Sequence, residues 1–439
     1  MAKKPLLHKQ QYSDVRPGPK KTGRAFGNLL SLGVAALFML GAPTAWAAET
    51  IGLDEAVEIA LDANDPTVVR FEERAEALDE RAIADSQLPD PQLRVGLANF
   101  PVDTFDFEQE AMTQVQVGMR QSFPRGKTLS KTREKRYAQA AGERAGGLLQ
   151  ELQIALDTRS IWLELYYWYG ARETVRESRE AVAELVDVIE ASFATGVQSN
   201  QDLLRAELEL SLLDDRAVEV ERQIEALTAE LARLIGEGPA RRELPSAFPN
   251  LTALTSRQAI EDALARHPSI LMENARIDAS NSDVDIARQE YKPGFSLDIG
   301  YGGRGGNRPD FASAMIVFDV PLFTKDRQDR RVSAARKNRS AARMDRAAKL
   351  LELKKRLDLT YANYARLGER VELFERVVVN RASANADAAL DGYQNQVADF
   401  AELIRSRLAA LDTELKLRRL RVDRAQAQSQ LLFLTGERT

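Results

Sequence analysis

Two periodicities divide this chain. Residues 126–193 and 325–390 contain no proline and are rich in Ala, Glu, Leu, Arg and Lys, with apolar positions three and four residues apart. Each run predicts one helix approaching roughly 100 Å at 1.5 Å per residue. An average globular helix has about 11–12 residues, so helices this long need coiled-coil support along most of their length. The segments that follow keep the same spacing, as at Leu203, Leu204, Leu208 and Leu212 and then Val218, with polar residues on the outer face. Breaks separate each long helix from the next. Gly196 can end the first, since glycine tolerates the left-handed conformation of a helix C-terminus. Ser199 with Asp202, and Asp399 with Glu402, have the types and spacing of N-terminal caps for returning helices. Each half therefore holds two antiparallel helices joined by a tight turn at one far end.

Elsewhere the period is two. Leu93, Val95 and Leu97 alternate with Arg94, Gly96 and Ala98, and Val115, Val117 and Met119 alternate with Gln114, Gln116, Gly118 and Arg120. Phe295, Leu297, Ile299 and Tyr301 alternate with Ser296, Asp298 and Gly300. A fourth segment, 312–320, alternates less well, because Met315 and Val317 occupy the face that should be polar. One apolar and one polar face at about ten residues per strand suits an outer-membrane β-barrel with a wet interior. A soluble sheet packed on a core gives the same pattern.

These elements come twice in one order. Residues 53–66 and 255–268 open the two halves alike, each ending on a proline. Prolines mark the next turns, at Leu88-Pro89-Asp90-Pro91 and Tyr291-Lys292-Pro293-Gly294, and close the strand pairs at Pro124 and Pro321. The halves also end alike, at Leu234-Ile235-Gly236-Glu237 and Leu434-Thr435-Gly436-Glu437. We expect a first structural repeat over 48–236, with a β-hairpin at 92–123 and a helical hairpin at 125–236. A linker follows at 237–254. The second repeat spans 255–437, with its β-hairpin at 294–323 and helical hairpin at 325–436.

The N-terminus changes the picture. Lys3, Lys4, Lys9, Arg16, Lys20, Lys21 and Arg24 precede an apolar run from Leu29 to Leu40 and then Ala45-Trp46-Ala47. A basic start, a short apolar stretch and a small-x-small site describe a secretory signal peptide over 1–47. The run is too short for a spanning helix, which needs about 20 residues. The chain has no cysteine, so export to an oxidising compartment brings no disulfide. Net charge is −5, with acids and bases mixed along the same segments, which reads as solvated helix faces and excludes a nucleic-acid partner.

Strand number constrains assembly. A sheet spanning lipid cannot leave its edges open, so the two hairpins of one chain must be completed by others. Two chains would make about eight strands, whose interior side chains fill, whereas three make about twelve and leave room for a channel. The expected architecture is mainly α with a membrane β-barrel portion. Two tandem repeats per chain close as a trimeric 12-strand barrel continued by an α-helical tunnel.

At this point the residues resemble a known family, the TolC-like outer-membrane efflux proteins, over residues 50–437. The carriers are Ala56, Ala60-Leu61 and Pro66, the Pro321-Leu322-Phe323 closing the second hairpin, the caps at Ser199 and Asp399, and the Leu-Gly ends. Residues 88–101, with Arg125-Gly126-Lys127, look like the branch serving heavy-metal resistance pumps. The resemblance implies a homotrimeric duct in the outer membrane that crosses the periplasm. It also implies a periplasmic adaptor, an inner-membrane efflux transporter and surrounding outer-membrane lipid as partners. In family members, acids after the tip turn of the second half narrow the entrance. By motif, Glu402 stands where the first acid stands, and Arg405 departs from the pattern at the next. The first-half equivalents are Asp202 and Arg205. With Asp399 these make a candidate tunnel-tip gate. A ring of Glu402 facing Arg405 would select ions differently from an all-acid ring, or hold the tip shut with salt bridges. Capping alone is a sufficient reason for the acids.

Other motifs carry less. Gly300-Tyr301-Gly302-Gly303-Arg304-Gly305 matches GxGxxG, yet no helix follows, so an extracellular hairpin loop is expected rather than a dinucleotide site. The loop at 102–110 holds Asp103, Asp106, Glu108 and Glu110 and reads as an exposed acidic loop. His8 lies in the signal peptide, and His267, before Pro268, reads as a turn residue. With one histidine and no cysteine left, no metal site or cofactor is expected. The aromatic patch at Trp162, Tyr166, Tyr167, Trp168 and Tyr169 is expected to pack against neighbouring helices. No catalytic constellation occurs, so an enzyme is not expected. Two alternatives to an efflux duct remain open: a type I protein secretion duct, and a soluble periplasmic coiled-coil scaffold or adaptor.

Overall fold

The computed structural model of the chain describes residues 50–195 and 199–436. The expected signal peptide, Gly196 as a helix end, and Glu437 of the closing motif lie outside the described residues. The first half runs α1 (Leu53–Asp62), α2 (Pro66–Ala84), β1 (Gln92–Ala98), β2 (Gln114–Phe123), α3 (Thr128–Ala194) and α4 (Asn200–Ile235). After α5 (Glu237–Ala240) come α6 (Arg257–Ala263), α7 (Pro268–Gln289), β3 (Gly294–Arg304) and β4 (Phe311–Asp319). The chain closes with α8 (Gln328–Leu373), α9 (Val379–Gln394) and α10 (Phe400–Thr435).

Helices α2 and α7 begin with the same device. Asp65 Oδ1 accepts the Thr67 N–H at 2.7 Å, and Pro66 takes the first helical position, where a missing N–H costs nothing. At α7 the cap is His267 and the proline is Pro268. The His267 ring is buried; its Nε2–H donates to the Phe433 carbonyl at 3.2 Å, leaving Nδ1 to accept from Ser269. Burial drives its pKa from 6.5 down to about 4 against that hydrogen bond, so the ring is neutral in the folded protein. The expected turn residue is thus a cap that also ties α7 to the end of α10.

Helix α3 has 67 residues, about 100 Å of helix, and has support along its length. Near its start it packs on α2 and α7, through Arg144–Asp79 at 2.6 Å and Lys135–Asp283 at 2.7 Å. Further along it runs antiparallel to α4, since Arg172 pairs with Glu221 and Arg179 with the earlier Asp214. The aromatic patch lies between these regions and packs as expected. Trp162 is fully buried, donates Nε1–H to the Ile51 carbonyl at 3.1 Å and stacks on Tyr166. Tyr166 in turn donates to the Ser246 carbonyl at 2.9 Å and meets Phe248 edge-on. The start of the described chain and residues 243–248 are therefore strapped to the middle of α3.

Two helical expectations need correction. The second long helix is interrupted: residues Phe374–Val378 form a π-helical segment between α8 and α9. No proline or glycine marks it, and Glu375 within it pairs with Arg421 of α10 at 2.7 Å. On α4, the stripe Leu204, Leu208, Leu212 and Val218 is exposed, while Ala206, Leu213, Val220, Ile224 and Leu231 face the core. The helix carries two apolar faces, and periodicity alone cannot say which one the chain itself covers.

The strands form one antiparallel sheet in the order β1-β2-β3-β4. The pairing of β2 with β3 joins the two hairpins, which sequence spacing did not foretell. The GxGxxG stretch is not a loop. Residues 300–304 continue β3, with Gly302 opposite Gln116 and Arg304 opposite Gln114. Bare glycines suit this strand because the Gln114 amide lies where a Gly302 side chain would stand.

Two outcomes are expected. Trp162→Ala should cost about 3–5 kcal/mol through the cavity it leaves, lowering the thermal midpoint of the helical signal in detergent. Between pH about 6.5 and 4, the unfolded chain binds a proton at His267 that the folded one refuses, so acidification destabilises the wild type by up to about 3 kcal/mol. Thermal midpoints of His267→Gln should lose that part of the pH dependence.

Candidate conduction path and tunnel tip

The sheet has two distinct faces, which follow from its register. Leu93, Met119, Ile299 and Ala314 share one row and Val95, Val117, Tyr301 and Ala312 the next. None of the described residues covers this apolar face: Leu93 is 72% exposed, Val95 70% and Phe318 59%. At one end Phe123 stacks on Phe295 at 4.6 Å, with Phe318 alongside. No helix of the described residues is long and apolar enough to cross a membrane.

The opposite face carries Gln92, Arg120, Asp298 and Met315 in one row and Arg94, Gly118, Gly300 and Ser313 in the next. It bounds a concave space of about 640 Å³. The imperfect alternation of β4 is real, since Met315 sits on this polar face opposite Asp298. Asp298 Oδ1 accepts from Arg120 Nε at 2.6 Å and lies 3.2 Å from Arg94 Nη1. Arg94 reaches it from β1, two strands away, across the row position of Gly118. These residues were legible as the charged members of the polar face, but their convergence was not, because 178 residues separate Arg120 from Asp298. At the loop end, Arg308 donates to the carbonyls of Glu108 and Glu110, so the acidic loop is tied to the 305–310 turn through its backbone.

A second constellation lies at mid-helix. Arg419 of α10 donates two hydrogen bonds to Glu164 of α3, at 2.7 and 2.8 Å, and one to Asp423 at 2.6 Å. Its guanidinium also lies 4.9 Å from the Tyr167 ring centroid. Burial would raise the Glu164 carboxyl, but hydrogen bonds from Arg419 and Gln426 outweigh it and hold the pKa below its ordinary value. Sequence spacing offers no signal for a pair 255 residues apart.

At the tip, both caps form. Ser199 Oγ accepts the Asp202 N–H at 3.2 Å and donates to its carboxylate at 2.6 Å, while Asp399 Oδ1 accepts the Glu402 N–H at 2.8 Å. Phe400 is buried against Tyr393, and Val397 stands 85% exposed at the apex of the turn. Arg405 donates to Glu402 at 2.5 Å within α10, and both side chains are exposed. Within one chain these two residues therefore pair with each other along one face of α10. Arg205 is exposed, with no ion-pair partner among the described residues. Helices α4 and α10 meet below through Arg216–Asp412 at 2.9 Å. No group of three or more His, Cys, Asp or Glu among the described residues is placed to hold a metal ion.

Comparison with known proteins places this geometry. Residues 259–437 match the family described as outer membrane efflux protein. Protein CyaE of Bordetella pertussis is 27% identical over 190 residues, a match spanning 40% of this chain and 40% of that protein. A membrane protein from Pseudomonas aeruginosa superposes with a TM-score of 0.76 at 16% identity, covering 87% of this chain and 90% of that one. The outer membrane protein VceC of Vibrio cholerae gives 0.72 at 18% identity, over 88% and 96%. The outer-membrane location expected from the sequence agrees with the family and with the description of VceC. Residues 259–437 are therefore similar to the outer membrane efflux proteins, and the fold of the chain as a whole is similar to the folds of these two solved membrane proteins, as the resemblance in its sequence led us to expect.

Proposed function

We propose that this chain is the outer-membrane channel subunit of a tripartite efflux system. It passes substrates from an inner-membrane transporter and a periplasmic adaptor to the exterior and catalyses no reaction. The observation that carries this reading is the uncovered apolar face of the sheet, backed by a concave polar face. A soluble scaffold would pack that apolar face on a core, whereas lipid is its natural solvent. Strands of 7 to 11 residues are close to the length a tilted spanning strand needs.

Three copies, each two tandem repeats, close the barrel, because β1 and β4 each have an unpaired edge. The exposed stripes on α4 (Leu204, Leu208, Leu212) and α8 (Met344, Leu351, Leu359) supply the lateral packing between copies. Residues 199–205 and 399–405 form the tip, where Asp202, Arg205, Asp399, Glu402 and Arg405 set the charge at the entrance. The cargo is heavy-metal cations, a reading that rests on the resemblance of residues 88–101 and 125–127. Cells lacking the chain should then become more sensitive to heavy-metal salts but not to organic toxins.

The deciding experiment is planar-bilayer conductance of detergent-purified protein, with its mass in detergent measured alongside. A trimer giving stable pores is expected; a water-soluble monomer or dimer without conductance overturns the reading. Reversing Glu402 and Arg405 to Lys and Glu together keeps their pairing but inverts the field, so single-channel cation preference should change; constancy leaves these residues only a structural role. Asp399→Ala should destabilise the tip by about 1 kcal/mol, seen as earlier proteolytic nicking near residue 397.

A further inference from the structure

We infer that Arg94, Arg120 and Asp298 form an anion-favouring filter on the polar wall of the sheet. The inference rests on the channel reading above and adds the sign of charge that the wall selects. The three residues lie in adjacent rows of the concave face, on β1, β2 and β3. Two guanidiniums meet one carboxylate, which leaves one net positive charge per chain. Asp298 is spent on the arginines. Oδ1 takes both contacts, and Oδ2 is buried with no hydrogen-bond partner, so the carboxylate offers nothing to a passing cation. Arg94, 47% exposed, lines the concavity and has donors to spare beyond its contact with Asp298, and Arg120 stands beside it, 29% exposed. Next to them the concavity is lined by bare or neutral residues, Gly96, Gly118, Gly300, Gly302, Gln114 and Gln116. The further charges of this face, Arg304 opposite Gln114 and Asp319 opposite Gly294, are of opposite sign and leave the excess unchanged. In a closed trimer this places three net positive charges at one level of the barrel. That field acts within a Debye length of about 10 Å at 0.1 M salt. A metal-cation cargo would cross this level most readily as an anionic complex.

The test is the reversal potential of wild-type and variant pores across a potassium chloride gradient. Arg94→Gln cancels the net charge and should lower the chloride-over-potassium preference by about twofold at low salt. Asp298→Asn makes the site doubly positive and should shift the preference the opposite way, while Arg94→Lys should leave it unchanged. Both shifts should fade in concentrated salt. Variant pores with unchanged reversal potentials, or with shifts of the same sign, overturn the inference and leave the triad a cross-strand clamp. Either variant decides if the other fails to assemble. Wild-type protein that forms no pore at all removes the channel reading itself, and the filter with it.

Discussion

Backbone hydrogen bonding at the edges of the four-stranded sheet governs what this molecule can be. Within one chain β1 and β4 each pair on one side only, and the apolar face between them is open. In lipid an unpaired row of N–H and C=O groups costs several kcal/mol per group, so the sheet cannot span a membrane alone. In the proposed assembly, closure by further copies would satisfy the edges, turn the apolar face to lipid and enclose the polar face. The proposed function, the exposed stripes on α4 and α8 and the wall charges all depend on that closure.

The helices extend the same logic below the sheet. A 67-residue helix has little reason to hold together in water on propensity alone, and tertiary packing must supply its stability. Here α2 and α7 support its first part and α4 its last, while α10 crosses the middle. The belt around Trp162 and the Glu164–Arg419 pair sit at that crossing. The pair is more than half-buried, so leaving either charge without its partner would cost more than the intact pair contributes. It joins α3 of the first half of the chain to α10 of the second. The π segment at Phe374–Val378 belongs to the same level, where Glu375 turns toward Arg421.

Charge is distributed differently at the two ends. On the sheet, one carboxylate is shared between two arginines and a positive excess remains. At the tip, the acids are consumed locally: Asp399 by a backbone N–H and Glu402 by Arg405 in the next helical turn. An exposed pair of that kind contributes about 0–1 kcal/mol, so it shapes the local charge of the turn more than its stability.

The sequence by itself determined the elements and their order. Helices, strands and tip caps follow from spacings of two to four residues: the long helical runs, three well-alternating strands, and Ser199 and Asp399 before returning helices. The cap at His267, the π segment and the strand through Gly302 were not legible in this way. The sequence also named the charged residues of the polar face and of the tip. Only the tertiary structure decided how these elements meet. Pairing of β2 with β3, convergence of Arg94, Arg120 and Asp298, the Glu164–Arg419 clamp and the choice of which apolar face of α4 is covered all join positions far apart in the chain. Local periodicity says that a face is apolar. Whether another part of the same chain, a second copy or lipid covers that face is set by the packing of the whole.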